Sequence, residues 1–422
     1  MNINELLRGV ECTCGKFHTC DIESVFIEDG AISKLGELCG GYRKVLLVAD
    51  ENTFAAAGEE TCKALGEKLS AKVIFGGKTV LIPNEDSIAR VTGALCDADL
   101  IVGVGSGVIQ DLCKYVSHEN KVPYMVVATA PSMDGYASTG AAMITGGMKV
   151  TYPAGVPKAI VADPTVLASA PLEMIKAGYG DIIGKYSALN DWKLSRAVNG
   201  EYFCQYIYDT TYEMINKTLA LAEGLVKRDK ESVRVLMEAL VIVGIMMSFA
   251  GNSRPASGSE HHLSHFFEIV GILNGEEYLP HGIDVAYSTV VTAELREKVL
   301  AGKFPKTQFV PNRKELEKKL GEIYKSSAEG CLELQDKVGH YAKNRAHIYL
   351  EKEAEIREIL SECPSAEEIK RILALAKLDI SEFYSLYGKD KIAQAVLYAK
   401  DLKDRYTVLW INYDFFGGKS ND

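Results

Sequence analysis

Five short runs of aliphatic and β-branched residues, KVLLVAD (44–50), KVIFGG (72–77), LIVGVGSG (100–107), YMVVATAPS (124–132) and AIVADPTVL (159–167), alternate with longer amphipathic stretches between residues 42 and 171. No other feature restricts the fold as strongly. Apolar runs of this length without a polar face mark strands covered on both sides, which are parallel, and parallel neighbours must be joined by crossovers. ENTFAAAGEETCKALGEKLS and EDSIARVTGALCDAD have the apolar stripe that a crossover helix needs. The alternation predicts βαβ units in a doubly wound, mostly parallel, Rossmann-like α/β sheet.

Past residue 171 the pattern changes. ESVRVLMEALVIVGIMMSFAGN, the stretch from RKELEKKLG to IREIL, and SAEEIKRILALAKL are long, helix-periodic and poor in strand-like runs. A chain of 422 residues also exceeds the ~250–300 at which one core stops growing. Two domains are expected, an α/β domain at 1–168 and an all-helical domain at 169–422. The break falls at 163–171, where Pro164 and Pro171 coincide with the loss of strand pattern. A cleft between two such domains is a usual place for a small-molecule site.

The formal net charge is −10, and no block of Lys and Arg is long enough to follow a phosphate backbone, which argues against a nucleic-acid partner. The N-terminal MNINELLRGVECTCG lacks a basic stretch followed by an apolar one, and no segment is read as approaching the ~20 apolar residues of a membrane span. A cytoplasmic protein is expected. The ten cysteines are mostly single within apolar segments, the pattern of reduced, buried thiols. CTCGKFHTC differs, because Cys12, Cys14, His18 and Cys20 offer four soft donors within nine residues. It is either a structural zinc site without zinc-ribbon spacing or a β-prone segment with incidental thiols.

VGVGSGVIQDLCKY places Gly103, Gly105 and Gly107 at the end of a buried strand and the start of a helix. Backbone N–H groups and the helix dipole receive a phosphate in that arrangement, although tight turns also use glycine for conformation alone. Asp50 ends the first strand, where a carboxylate can accept from an adenine ribose and repel a 2′-phosphate, which favours NAD over NADP. It is equally suited to capping the helix that follows. VATAPSMDGYASTG adds the hydroxyls of Thr129, Ser132, Ser138 and Thr139 and the carboxylate of Asp134, suited to a pyrophosphate or a polyol, or to turn formation.

RPASGSEHHLSHFFE packs three of the eight histidines into five positions, and His281 follows in LPHGID. On a helix His261 and His265 share a face and His262 points away from it. His261 is read as a metal ligand, His265 as its neighbour beside a substrate, and His262 as a bystander. His281, between Pro280 and Gly282, sits on a turn that can bring a second imidazole. Asp181, after Gly180 in KAGYGDIIGKYSALNDW, is the candidate carboxylate, with an N-cap as its plainer role. Two imidazoles and a carboxylate with an open position form a catalytic metal site. Arg254 is the nearest fixed charge in sequence, read either as a contact for a substrate phosphate or as a structural ion-pair partner.

Together GVGSGVIQD, TAPSMDGYAS, GYGDIIGKYSALNDW, SRPASGSEHHLSH and PHGIDVA resemble the glycerol-1-phosphate dehydrogenase family, including its bacterial type associated with arabinose operons. That family lies within the superfamily of metal-dependent alcohol dehydrogenases and dehydroquinate synthase. The likeness runs from about residue 42 to 281. It implies a dehydroquinate synthase-like fold, with NAD(P) on the first domain and metal and substrate on the second. By resemblance Asp181, His261 and His281 are metal ligands. Asp134, Asp181 and His265 contact substrate, Asp181 and His265 being catalytic. Gly105, Ser106, Gly107, Val108, Ile109, Thr129, Ala130, Pro131, Ser132 and Ser138 line the cofactor, with Asp50 at its ribose. The glycine loop departs from the superfamily's common GGG in having Ser106, and no motif matches beyond about residue 303.

The implied activity is the reversible, metal-dependent reduction of dihydroxyacetone phosphate to sn-glycerol 1-phosphate. NAD(H) is preferred with NADP(H) allowed, and zinc is the first choice of metal with nickel the second. A homo-oligomer, dimer or larger, and a role in phospholipid metabolism go with it. The alternatives are a dehydrogenase of an unphosphorylated polyol such as glycerol, and a dehydroquinate-synthase-like lyase. A non-catalytic nucleotide sensor is disfavoured, since it would need none of the metal donors.

Overall fold

The computed structural model describes residues 2–78, 81–146 and 148–417. Ten strands occur among them: β1 (Val10–Glu11), β2 (Phe17–His18), β3 (Ser24–Ile27), β4 (Val45–Asp50), β5 (Leu69–Phe75), β6 (Leu100–Gly105), β7 (Tyr124–Ala128), β8 (Gly140–Thr145), β9 (Met148–Pro153) and β10 (Ala159–Ala162). Six of these form one sheet in the order β3-β10-β7-β6-β4-β5. Every pairing in that sheet is parallel. The five expected runs are thus all strands of it. β6, β7 and β10 are buried at every position, as apolar runs without a polar face require. One core beneath the sheet gathers Leu47, Val102, Val104, Val127 and Val161 with Ile32 and Leu35 from the segment after β3.

Two elements were not expected, and a third, the hairpin at CTCGKFHTC, falls where one reading expected a β-prone segment. β3, only four residues long, adds the edge strand beside β10. β8 and β9 pair as an antiparallel hairpin, and β1 and β2 as a second one, each separate from the main sheet.

The chain separates into two compact units, but not at one boundary. The first comprises 1–182 and 216–253, the second 183–215 and 254–422. In place of a single break at 163–171, the 28-residue helix Leu172–Asn199 runs through the division. The helix Lys230–Ala250 returns to the α/β unit because it packs on the turn Asp134–Ala137. A Cβ on its Gly244 would lie 2.7 Å from Asp134 O.

That helix also corrects the expectation that no segment approaches a membrane span. Its length and apolarity meet the requirement, yet 78% of its most apolar window is buried inside the protein. Leu236, Leu240, Val243, Ile245 and Met246 are core residues, so its composition is that of a helix buried all round. The described part of the second unit is helical throughout, as expected.

Candidate active site

In the first unit the sheet reverses direction of growth at β4. The chain leaves β4 for β5 on one side and then returns to place β6 on the other. Open α/β sheets bind ligands at the carboxyl ends of the strands flanking such a switch point. Asp50 ends β4, and the glycine loop follows β6. The loop feeds the 14-residue helix Gly107–Asn120, with Ser106 at its N-cap making no side-chain cap bond. Gly105 and Gly107 fit here because there is no room for more. A Cβ at Gly105 would lie 2.6 Å from Ile109 Cβ, and one at Gly107 3.1 Å from Met133 Sδ. Ser106, Gly107 and Val108 are half-buried, and Ile109 is buried.

Thr129, Ala130, Pro131 and Ser132 follow β7, next to the glycine loop, to which Thr129 N–H donates at Gly105 O (3.2 Å). Lys114, fully buried on the glycine-loop helix, holds the neighbouring segment. Its Nζ donates to Gly135 O (2.7 Å), Gly140 O (3.0 Å) and the hydroxyl of Ser138 (3.2 Å). Burial pushes its ammonium below its usual range, opposed by Asp111 and Asp134. Asp50 does cap its helix: it accepts from Thr53 N–H at 2.8 Å in a reciprocal capping box.

Asp134 and Asp181, both buried, are brought together, and Asp134 N–H donates to Asp181 Oδ2 at 3.0 Å. Asp181 is the tenth residue of its helix, so it is not an N-cap.

In the second unit three imidazoles converge, two of them placed on one face by their spacing and the third brought in from the next helix. His261 and His265 lie on one face of the helix Ser259–Asn274 with ring centroids 6.3 Å apart. His281 is the first residue of the helix His281–Ala301, not a residue of an exposed turn, and its ring lies 5.2 Å from that of His261 and 5.4 Å from that of His265. His261 Nδ1–H donates to Glu260 Oε1 at 2.7 Å, and His281 Nδ1 shares a hydrogen bond with Ser264 Oγ at 3.3 Å. Burial pushes the Glu260 carboxyl up, but the His261 hydrogen bond and the N–H of Gly258 outweigh it and hold the group below its usual range. Such contacts at Nδ1 fix each ring and leave Nε2 as the donor for a metal.

His262 is outside this group but is no surface bystander. It is wholly buried, and neither ring nitrogen has a hydrogen-bond partner among the described residues. Burial first, then Arg405, Lys403 and Arg254, hold its imidazole well below its usual range, so it stays neutral.

Arg254 takes the ion-pair role. Its Nε donates to Glu201 Oε1 (2.7 Å), and its Nη2 donates to Glu201 Oε2 (2.5 Å) and Tyr406 O (2.9 Å). Two further residues were overlooked. Glu260, one position before His261, is invisible to helix-face reasoning because adjacent residues do not share a face. Glu268 was findable, three residues after His265 on the same helix. Its carboxylate lies 3.9 Å from His265 Nδ1, and His265, Glu268 and His281 each offer a donor atom within 4.8 Å of the others.

Comparison with known proteins places the chain in a family. Residues 26–171 match the iron-containing alcohol dehydrogenase family. The glycerol-1-phosphate dehydrogenase (NAD(P)+) of Halalkalibacterium halodurans is 34% identical over 293 residues, which cover 68% of this chain and 73% of that one. The enzyme of the same name from Bacillus licheniformis is 28% identical over 431 residues, 97% of this chain and 94% of its own. Among solved structures, the iron-containing alcohol dehydrogenase of Thermococcus thioreducens superposes with a TM-score of 0.59 at 15% identity, covering 90% of this chain and 91% of that one.

Proposed function

The chain belongs to the glycerol-1-phosphate dehydrogenase family, and from that premise we propose that it reduces dihydroxyacetone phosphate reversibly to sn-glycerol 1-phosphate with NAD(P)H and one divalent metal. The observation that carries the proposal is the convergence of His261, His265 and His281, two of them oriented through Nδ1 by Glu260 and Ser264. In this reading Asp181, His261 and His281 hold the metal, zinc first and nickel second by donor type. When bound, the metal polarises the substrate carbonyl as a Lewis acid and the nicotinamide supplies the hydride.

The chain's own residues do the rest. Asp134 and Asp181 hold the substrate hydroxyls, and His265, with Glu268 beside it, delivers the proton to the reduced oxygen. Gly105, Ser106, Gly107, Val108 and Ile109 present the helix N-terminus to the cofactor pyrophosphate. Thr129, Ala130, Pro131, Ser132 and Ser138 line the rest of that groove, while Asp50 faces the ribose and favours NAD(H), with NADP(H) tolerated. Because Arg254 is committed to Glu201, the substrate phosphate is not assigned to it. A cytoplasmic homo-oligomer supplying ether-type phospholipid synthesis fits the product.

The test is NADH oxidation with dihydroxyacetone phosphate, dihydroxyacetone and glyceraldehyde in parallel. The phosphorylated ketone is expected to react with the highest kcat/KM. Equal or better turnover of dihydroxyacetone would make the protein a polyol dehydrogenase. Release of inorganic phosphate without net NADH change would make it a lyase.

A further inference from the structure

The CTCGKFHTC segment is not used by the chemistry above. Cys12 and Cys14 stand in the turn between β1 and β2, closed by Cys12 N–H to Lys16 O (3.1 Å) and Gly15 N–H to Cys12 O (3.0 Å). Gly15 takes φ +84°, a left-handed conformation that a residue with a side chain adopts at a cost, which lets the chain turn immediately after Cys14. The donor atoms of Cys12, Cys14 and His18 all lie within 4.8 Å of one another, with Cys14 Sγ 3.4 Å from His18 Nε2. His18 is buried and set in place from its other side. Its Nδ1–H donates to the carbonyl of Phe249 (3.1 Å), and the ring stacks on that of Phe249 at 5.3 Å.

A carbonyl oxygen only accepts, so this bond puts the proton on Nδ1 and turns the Nε2 lone pair toward the sulfurs. An imidazole anchored through Nδ1 with Nε2 presented to soft donors is how metal-ligating histidines are held. Strands of two residues each are also too short to hold a hairpin by hydrogen bonding alone. We propose that Cys12, Cys14 and His18 bind a second, structural metal ion, zinc by donor type, which closes the β1–β2 hairpin that His18 docks on Phe249 at the carboxyl end of the helix Lys230–Ala250. Cys20, the fourth donor in the motif, is not among the converging atoms. Its buried thiol instead faces Ser248. The remaining position of the tetrahedron takes a further thiolate or a water.

Cobalt(II) reports this site separately, because the proposed catalytic donors include no sulfur. Full-length reduced protein is stripped with a chelator, reloaded with cobalt(II) and read in the near ultraviolet. Thiolate-to-cobalt charge-transfer absorption is expected, displaced by added zinc and lost in Cys12→Ser and Cys14→Ser, with zinc content falling by about one ion per chain. The band intensity counts the thiolates and so identifies the fourth position. Cobalt-loaded protein without that band, or a band kept at full strength when Cys12 and Cys14 are both serine, would overturn the proposal. If the variants do not fold, the wild-type band and its displacement by zinc decide alone.

Discussion

His261→Ala is expected to lose the divalent metal and, with it, roughly a thousandfold or more in kcat/KM for dihydroxyacetone phosphate. Lewis-acid polarisation contributes several kcal/mol to the barrier, and each ~1.4 kcal/mol is a factor of ten. The adjacent variant separates chemistry from packing. His262→Ala removes a wholly buried ring that touches neither metal nor substrate in this account. It should retain metal and turnover while losing about 2–3 kcal/mol of stability to the cavity left behind. Metal content by elemental analysis, with initial rates and denaturant unfolding on both variants, checks the pair. Two variants that behave alike would mean that the helix, and not the Nε2 of His261, is what matters.

Gly178→Ala is expected to be nearly as damaging, although the residue contacts no ligand in the proposed mechanism. A Cβ at this position would stand 1.8 Å from Pro131 O and 2.9 Å from Pro131 C, with Leu240 Cδ1 at 3.2 Å behind. Backbone presses on backbone, so no rotamer change relieves the clash. Either the helix carrying Asp181 or the loop Thr129, Ala130, Pro131, Ser132 must move. Overpacking of this kind costs about 1–3 kcal/mol, and a displacement near 1 Å at a positioning element costs on the order of a hundredfold in rate. Gly321→Ala is the control, since nothing lies within 4 Å of its Cβ position on the exposed face of the helix Arg313–Tyr324. It should leave activity intact and add up to ~1 kcal/mol of stability. Full activity in Gly178→Ala would show that the loop does not position the cofactor.

Much of the fold is legible in the sequence. The five strands were legible because burial on both faces leaves unbroken apolar runs such as LIVGVG. β8 and β9 were not, because Ala142 and Ile144 are as apolar as the buried Ala141 and Met143, so the alternating burial of GAAMIT leaves no polar/apolar alternation in the sequence, and the flanking glycines suggest a loop. The fate of the helix Lys230–Ala250 depends on Gly244 meeting the Asp134 carbonyl, a contact between residues 110 positions apart that no local pattern carries. In the site, the i,i+4 spacing of His261 and His265 was enough to place them on one face. Arg254 shows the opposite case. It is the charge nearest the histidines in sequence, but its partner is Glu201, 53 residues upstream, so the plainer of its two readings is the one the structure displays. Cys20 is similar: proximity in sequence made it a donor, and its local geometry turns it toward Ser248.

The central claim is that reduction of dihydroxyacetone phosphate runs through a divalent metal held by Asp181, His261 and His281. Its most direct test is the rate of NADH oxidation with that substrate after exhaustive chelation and again after stoichiometric addition of zinc or nickel. The account predicts that activity falls to background on chelation and returns on addition of metal. A rate that survives complete removal of metal unchanged would contradict it.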